Sequence, residues 1–272
     1  MNKKTTALLV SALALAAISA NAQTPPPAAP APAAPAAPAA PSWSWTVTPA
    51  YASQYMFRGV RLGGSSFEPT VEADYGNFAV GVWANFPLAD KVVGQSDPEI
   101  DPYASYKFVV NDAFNVQPGV TWYNYPNATK SNGFYKSSFE PNLALNYTVG
   151  GVTLTPKIYY DVVLKGPTLE LNGAYAVPLK DEGTELDFAA TVGTYKWTSA
   201  APDQGADVKN YGNYWLIGVS APFQITKSSK FTIGWAYTKG SDNFIKLGST
   251  PKVSNGAAVG RGVITASYAI SF

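Results

Sequence analysis

Asn142-Leu143-Ala144-Leu145-Asn146-Tyr147-Thr148-Val149 sets Leu, Leu, Tyr and Val on one parity and Asn, Ala, Asn and Thr on the other. Successive side chains of a β-strand point to opposite faces, so a period of two marks a strand. A helix would scatter these apolar positions around its circumference. The same alternation recurs in twelve segments: 43–58, 67–75, 78–88, 99–109, 114–125, 138–149, 152–165, 168–179, 184–197, 211–223, 230–240 and 261–272. No helical stretch intervenes to carry a crossover, so consecutive strands pair antiparallel.

The connections alternate in length. Gly76-Asn77, 110–113, Gly150-Gly151, 180–183 and 225–229 are short, whereas 59–66, 89–98, 126–137, 198–210 and 241–260 are long. Gly166-Pro167 breaks the rule. Even strand number, short turns at one end and long loops at the other define an all-β, closed antiparallel transmembrane barrel of about 12 strands. Its short turns face the periplasm and its long loops the outside of the cell. A soluble sandwich would alternate too, but its strands cluster near 5 or 6 residues, whereas about 9–11 are needed to cross a bilayer at a tilt. Aromatics also end the apolar face, with Trp43, Trp45, Phe78, Phe231 and Phe272 at one rim and Tyr55, Phe57, Phe86 and Phe139 at the other. Such girdles fit two membrane interfaces. Pro49 sits inside the first strand, where its missing donor predicts a bulge.

Ahead of the barrel, Lys3 and Lys4 precede an apolar stretch 7–18 and Ala20-Asn21-Ala22, the pattern of a cleavable signal peptide over 1–22. Residues 23–42 are nearly all Pro and Ala, a disordered, semi-rigid linker that cannot bury a core. The barrel then runs from 43 to 272, and the export signal predicts a place in the outer membrane of a Gram-negative cell. With no Cys the fold has no disulfide, and a net charge of +1 offers no field for nucleic acid.

If the apolar face meets lipid, the other parity meets the lumen. That parity gathers ten acids, Glu68, Glu72, Asp74, Glu99, Asp101, Glu140, Asp161, Glu170, Glu185 and Asp187, against five bases, Arg58, Lys107, Lys157, Lys165 and Arg261. Small inward residues such as Ala174, Ala189, Gly193 and Gly234 leave room for a narrow aqueous path. Inward Trp83, Tyr123, Tyr159 and Tyr195, or the loop 241–260, could instead plug it.

Barrel enzymes of the outer membrane use a histidine base, and this chain has no His, so no catalysis and no cofactor are expected. Glu99 and Asp101 share a strand face, a pairing that reads as wall charge, and Asp97-Pro98-Glu99-Ile100-Asp101 lacks the glycine and terminal glutamate of a calcium loop. One echo is specific: Ser65-Ser66-Phe67-Glu68-Pro69 returns as Ser137-Ser138-Phe139-Glu140-Pro141, each time after a long connection. As a strand-start sequence it needs no binding role, yet it places two acids at the outer mouth.

Tyr55-Met56-Phe57-Arg58-Gly59-Val60, followed by Phe67-Glu68-Pro69 and Val80-Gly81-Val82-Trp83-Ala84-Asn85, resembles the N-terminal signature of the TorF-type family of outer-membrane porins. The resemblance implies a barrel and a pore, with no substrate specified, and covers about the first fifty residues of the barrel.

These readings converge on a passive pore for small hydrophilic solutes with a mild cation preference. The alternative is a closed structural or ligand-binding barrel with a periplasmic Pro/Ala arm. The expected partners are outer-membrane lipids, the barrel assembly machinery through Phe272 at the end of an amphipathic last strand, and small solutes. Closure of the last strand on the first puts Arg58 and Arg261 on one wall at the mouth. Glu68 is then expected beside or between them, in a charge-assisted contact with Arg58.

Overall fold

The computed structural model describes residues 42–89, 97–128, 136–179, 182–198, 210–241 and 260–272. The signal segment, all but the last residue of the Pro/Ala linker, and most of the connections 89–98, 126–137, 198–210 and 241–260 lie outside the described residues.

Twelve antiparallel staves close into one barrel. β1 (Trp43–Thr48) and β2 (Ala50–Ala52) make the first; β3 (Tyr55–Phe57) and β4 (Val60–Gly63) leave the wall as a separate hairpin; β5 (Ser66–Phe67) and β6 (Thr70–Tyr75) make the second. β7 (Phe78–Pro87) is the third, β8 (Glu99–Tyr106) with β9 (Phe108–Asn111) the fourth, and β10 (Phe114–Asn124) the fifth. β11 (Ser137–Val149), β12 (Val152–Asp161), β13 (Gly166–Leu179), β14 (Thr184–Trp197), β15 (Asn210–Thr226), β16 (Ser229–Gly240) and β17 (Arg261–Ser271) complete the circle. β17 pairs with both β1 and β2, for example Val47 with Ile270 and Ala52 with Thr265, so no edge is left open. No helix occurs among the described residues.

The first stave holds one register across Pro49, against β17 on one side and against β5 and β6 on the other. The expected bulge is therefore absent. Pro49 simply omits a donor, while its carbonyl still accepts from the Tyr268 N–H at 3.0 Å. Pro69 behaves alike, its carbonyl accepting from Ala84 N–H at 3.0 Å.

The alternating parity sets the two faces. Outward residues such as Leu143, Leu145, Val192, Trp235 and Ile264 stand exposed, as a lipid-facing surface requires, and inward Glu140, Asp161, Thr168 and Asp187 are buried. Trp43, Trp45, Phe78 and Phe272 crown the short-turn rim, and Phe67, Phe86, Trp122 and Phe139 the other, the last two stacked at 5.4 Å. Tyr55 and Phe57 do not join that girdle. They turn inward with the β3–β4 hairpin, so the expected strand 43–58 ends at Ala52, and 59–66 is not an outer loop. Lys165, expected in the lumen, lies exposed in the turn after β12, where the Asp161 carboxylate accepts from Val163 and Leu164 N–H at 2.9 and 2.7 Å.

Candidate functional site

The hairpin is a two-residue turn between short strands, Phe57 facing Val60 across Arg58-Gly59. Both turn residues have positive φ, 46° and 77°, the hand of a type I′ turn that matches strand twist. A Cβ on Gly59 would come within 2.4 Å of Gly240 N in β16, so only glycine lets the tip rest against the barrel backbone there. The tip thus rests on the eleventh stave, one beyond the last strand that closes on its own stave.

Packing holds the hairpin in place. Tyr55, Val60 and Leu62 form one apolar cluster with Trp83, Tyr103, Leu164, Tyr195, Trp197 and Tyr214 from the wall, and Met56 packs with Ala52 and Val263. Val60 is 0% exposed. An isolated two-stranded hairpin is marginal in water, so these contacts and the polar ones at its tip and base supply its stability. Inward Trp83, Tyr123, Tyr159 and Tyr195 surround the hairpin rather than meet one another as a plug.

At the tip, Arg58 donates to Glu140 through both terminal nitrogens, Nη1 to Oε2 at 2.9 Å and Nη2 to Oε1 at 2.7 Å. Tyr123 Oη donates to the same Oε1 at 3.0 Å. The guanidinium lies 4.8 Å from the ring centres of Phe57 and Tyr159 and 5.8 Å from that of Trp197. Arg58 and Glu140 are 3% and 1% exposed. In this buried, bidentate and stacked pair, mutual attraction offsets desolvation that either partner left alone would bear in full.

Arg58 therefore pairs with Glu140 and not with Glu68 as expected. The inward fold of 55–63 carries Arg58 across the lumen, away from the wall where Glu68 stands. Glu68 accepts instead from Ser66 Oγ at 2.6 Å and Asn85 Nδ2 at 3.2 Å. Arg261 lies at the start of β17, half-buried, and donates to the Gly260 carbonyl at 3.2 Å. Glu99 accepts from the Tyr55 phenol at the hairpin's base and from Tyr125 Oη at 2.7 Å, and Asp101 accepts from Asn124 N–H at 3.2 Å. The two echoed segments share their layout, Phe outward and Glu inward, but one glutamate is held by its own strand start and the other by the hairpin.

Sequence reasoning missed a second pattern: the inward carboxylates are partnered by phenols. Tyr103 Oη donates to Glu72 at 2.7 Å, and Tyr159 and Tyr214 Oη both donate to Glu170 at 2.6 Å. A tyrosine on the lumen parity two staves from a glutamate was the available signal for the last of these. Toward the short-turn end the character changes. Asn146 Nδ2 donates to Asn115 Oδ1 at 2.8 Å, and Thr155 Oγ1 to Asn146 Oδ1 at 2.9 Å. Ala174, Ala176, Ala189 and Thr191 are half-exposed inside the barrel. The lumen is thus a polar vestibule below a packed hairpin.

This architecture is a closed twelve-stranded antiparallel barrel, the fold that solved porins share. The chain belongs to a family described as "Bacterial protein of unknown function (Gcw_chp)", whose profile matches residues 36–246. Among solved structures it resembles the KdgM porin (14% identity, 84% of this chain and 99% of that one, TM-score 0.53) and the NanC porin (11% identity, 83% and 98%, TM-score 0.51). It also resembles the KdgM porin in complex with disordered oligogalacturonate (14% identity, 84% and 99%, TM-score 0.51). At these identities the likeness is one of fold. No curated protein sequence matches the chain.

Proposed function

We propose that the protein is an outer-membrane channel for passive diffusion of small hydrophilic solutes, mildly selective for cations, with the β3–β4 hairpin setting its aperture. The observation that carries this reading is a closed barrel with an apolar exterior and a partly exposed, hydrogen-bonding vestibule inside. The N-terminal resemblance to TorF-type porins points the same way. In this reading the signal segment 1–22 directs export, the short turns face the periplasm, and the acid excess of the lumen parity repels anions. Because phenols and Arg58 partner many of those carboxylates, the preference is weak.

Purified protein in planar bilayers is expected to give small single-channel steps, with a reversal potential in a salt gradient displaced modestly toward that of the cation. Sustained silence would instead favour the second reading, a closed structural or ligand-binding barrel, which the packed mouth supports. Assembly through the last strand is tested separately. Deleting Phe272 is expected to cut the amount of heat-modifiable barrel in the outer membrane, and a normal amount would exclude that residue as an assembly signal.

A further inference from the structure

Arg58 occupies a turn position whose φ of 46° suits Gly, Asn or Asp. Turn chemistry alone would not put an arginine there, so the side chain is what the position retains. Its guanidinium ends in a pocket formed by Glu140 on β11, Tyr123 on β10, Tyr159 on β12 and Trp197 on β14, with Phe57 of the hairpin itself beside it. Apart from Phe57 the pocket belongs to the barrel, whereas the occupant belongs to a hairpin whose chain joins the wall only at its base.

We propose that Glu140 and the aromatic rings around it form a guanidinium-binding site in the lumen, which Arg58 fills as a tethered ligand and which a guanidinium-bearing solute fills when Arg58 is absent. The inference deepens the channel reading by naming a solute class, and its use in transport rests on that reading. A planar cation is specified by geometry. Two parallel N–H···O contacts of 2.7 and 2.9 Å need a fork, and a ring face at 4.8 Å needs a flat, weakly hydrated group, whereas an ammonium offers a compact, strongly hydrated charge. The Tyr123 phenol remains on Glu140 when the guanidinium leaves, keeping the carboxylate oriented. In the intact chain the tether gives Arg58 an effective concentration of about millimolar or above, so free guanidinium at low millimolar concentration does not displace it.

The test uses Arg58→Gly, which fits the turn better than arginine and removes the occupant. Guanidinium chloride is titrated into the folded full-length variant in detergent micelles against sodium chloride at equal ionic strength. Tryptophan fluorescence is read, with Trp197→Phe as the reporter control. Saturable binding by R58G, none by the intact chain, and affinity at least about tenfold weaker for methylammonium and for R58G/E140Q are expected. Equal responses to guanidinium and sodium in R58G, or unchanged affinity in R58G/E140Q, would overturn the site. Should R58G not fold, Arg58→Asn, which also tolerates positive φ, takes its place, and guanidinium-dependent recovery of heat-modifiability reads the same site. Binding in micelles needs no conductance. A barrel that binds guanidinium yet stays silent in bilayers therefore refutes the channel and keeps the site, and the reverse result does the opposite.

Discussion

Excising residues 55–63 and joining Gln54 to Gly64 through two glycines is expected to raise the single-channel conductance by roughly threefold or more, the largest functional effect available in this molecule. The ends are already adjacent: Ala52 pairs with Ser66, and Tyr55 N–H reaches the Gly64 carbonyl at 3.0 Å, so the shortened connection need not disturb the wall. Twelve staves about 4.8 Å apart, tilted by about 40°, give a barrel of roughly 24 Å between opposite backbones. Side chains on both walls leave about half of that, nearly all of which a two-stranded hairpin covers at its level. Unchanged conductance in a correctly folded excision variant would mean that the aperture is set elsewhere.

Glu140→Ala carries the largest expected energetic effect. It leaves the Arg58 guanidinium buried without its counter-ion, a loss of about 3–5 kcal/mol when one partner of a buried pair is removed. The barrel wall has other ways to stay closed, so the cost falls on the hairpin, which escapes by swinging Arg58 into water. A shift of that size raises the open population by about a hundredfold or more. Val60, fully buried against the wall, reports it. A cysteine at that position should be inert to maleimide in the parent and reactive in the Glu140→Ala background. Adding Arg58→Gly to Glu140→Ala should restore much of the protection, because no charge is then stranded. Equal reactivity in parent and Glu140→Ala would show that apolar packing alone holds the hairpin.

The wall was legible in the sequence because a membrane barrel imposes one rule on every strand: lipid on one face and lumen on the other. Leu143, Leu145 and Tyr147 announce it, as do the twelve segments and the inward side of Glu68, Glu99, Asp101 and Glu140. The hairpin was not legible as such, because Tyr55, Met56 and Phe57 extend the first strand in composition and resemble an aromatic rim. What separates them in the folded chain is their company: Tyr55 is buried with Val60, Leu62 and Trp83, and Met56 with Ala52 and Val263, instead of standing exposed at a rim. Arg58-Gly59 between two strand-like triplets was the local signal, a two-residue turn with Gly in second place. Pairing of charges across the lumen was out of reach for a different reason. Register fixes neighbours along a wall, but it says nothing about which residue an inserted segment will meet on the far side. Arg58 thus found Glu140 rather than Glu68.

The hairpin springs from the seam. Ser53, one residue past β2, receives the Ile264 N–H on its Oγ at 2.8 Å and donates its own N–H to the Ile264 carbonyl at 2.9 Å, and Met56 packs on Val263. Its tip rests on Gly240, at the end of β16, the strand before the last. The first and last strands of the barrel therefore meet at the same place where the insert is anchored. The pairing of β17 with β1 and β2 and the contact of Gly59 with β16 both join residues far apart in the sequence, contacts that carry a large loop-closure cost. In the folded barrel the insert is a cross-brace: it grips the last two strands from inside, so the wall is held at its closure by side-chain packing as well as by backbone pairing.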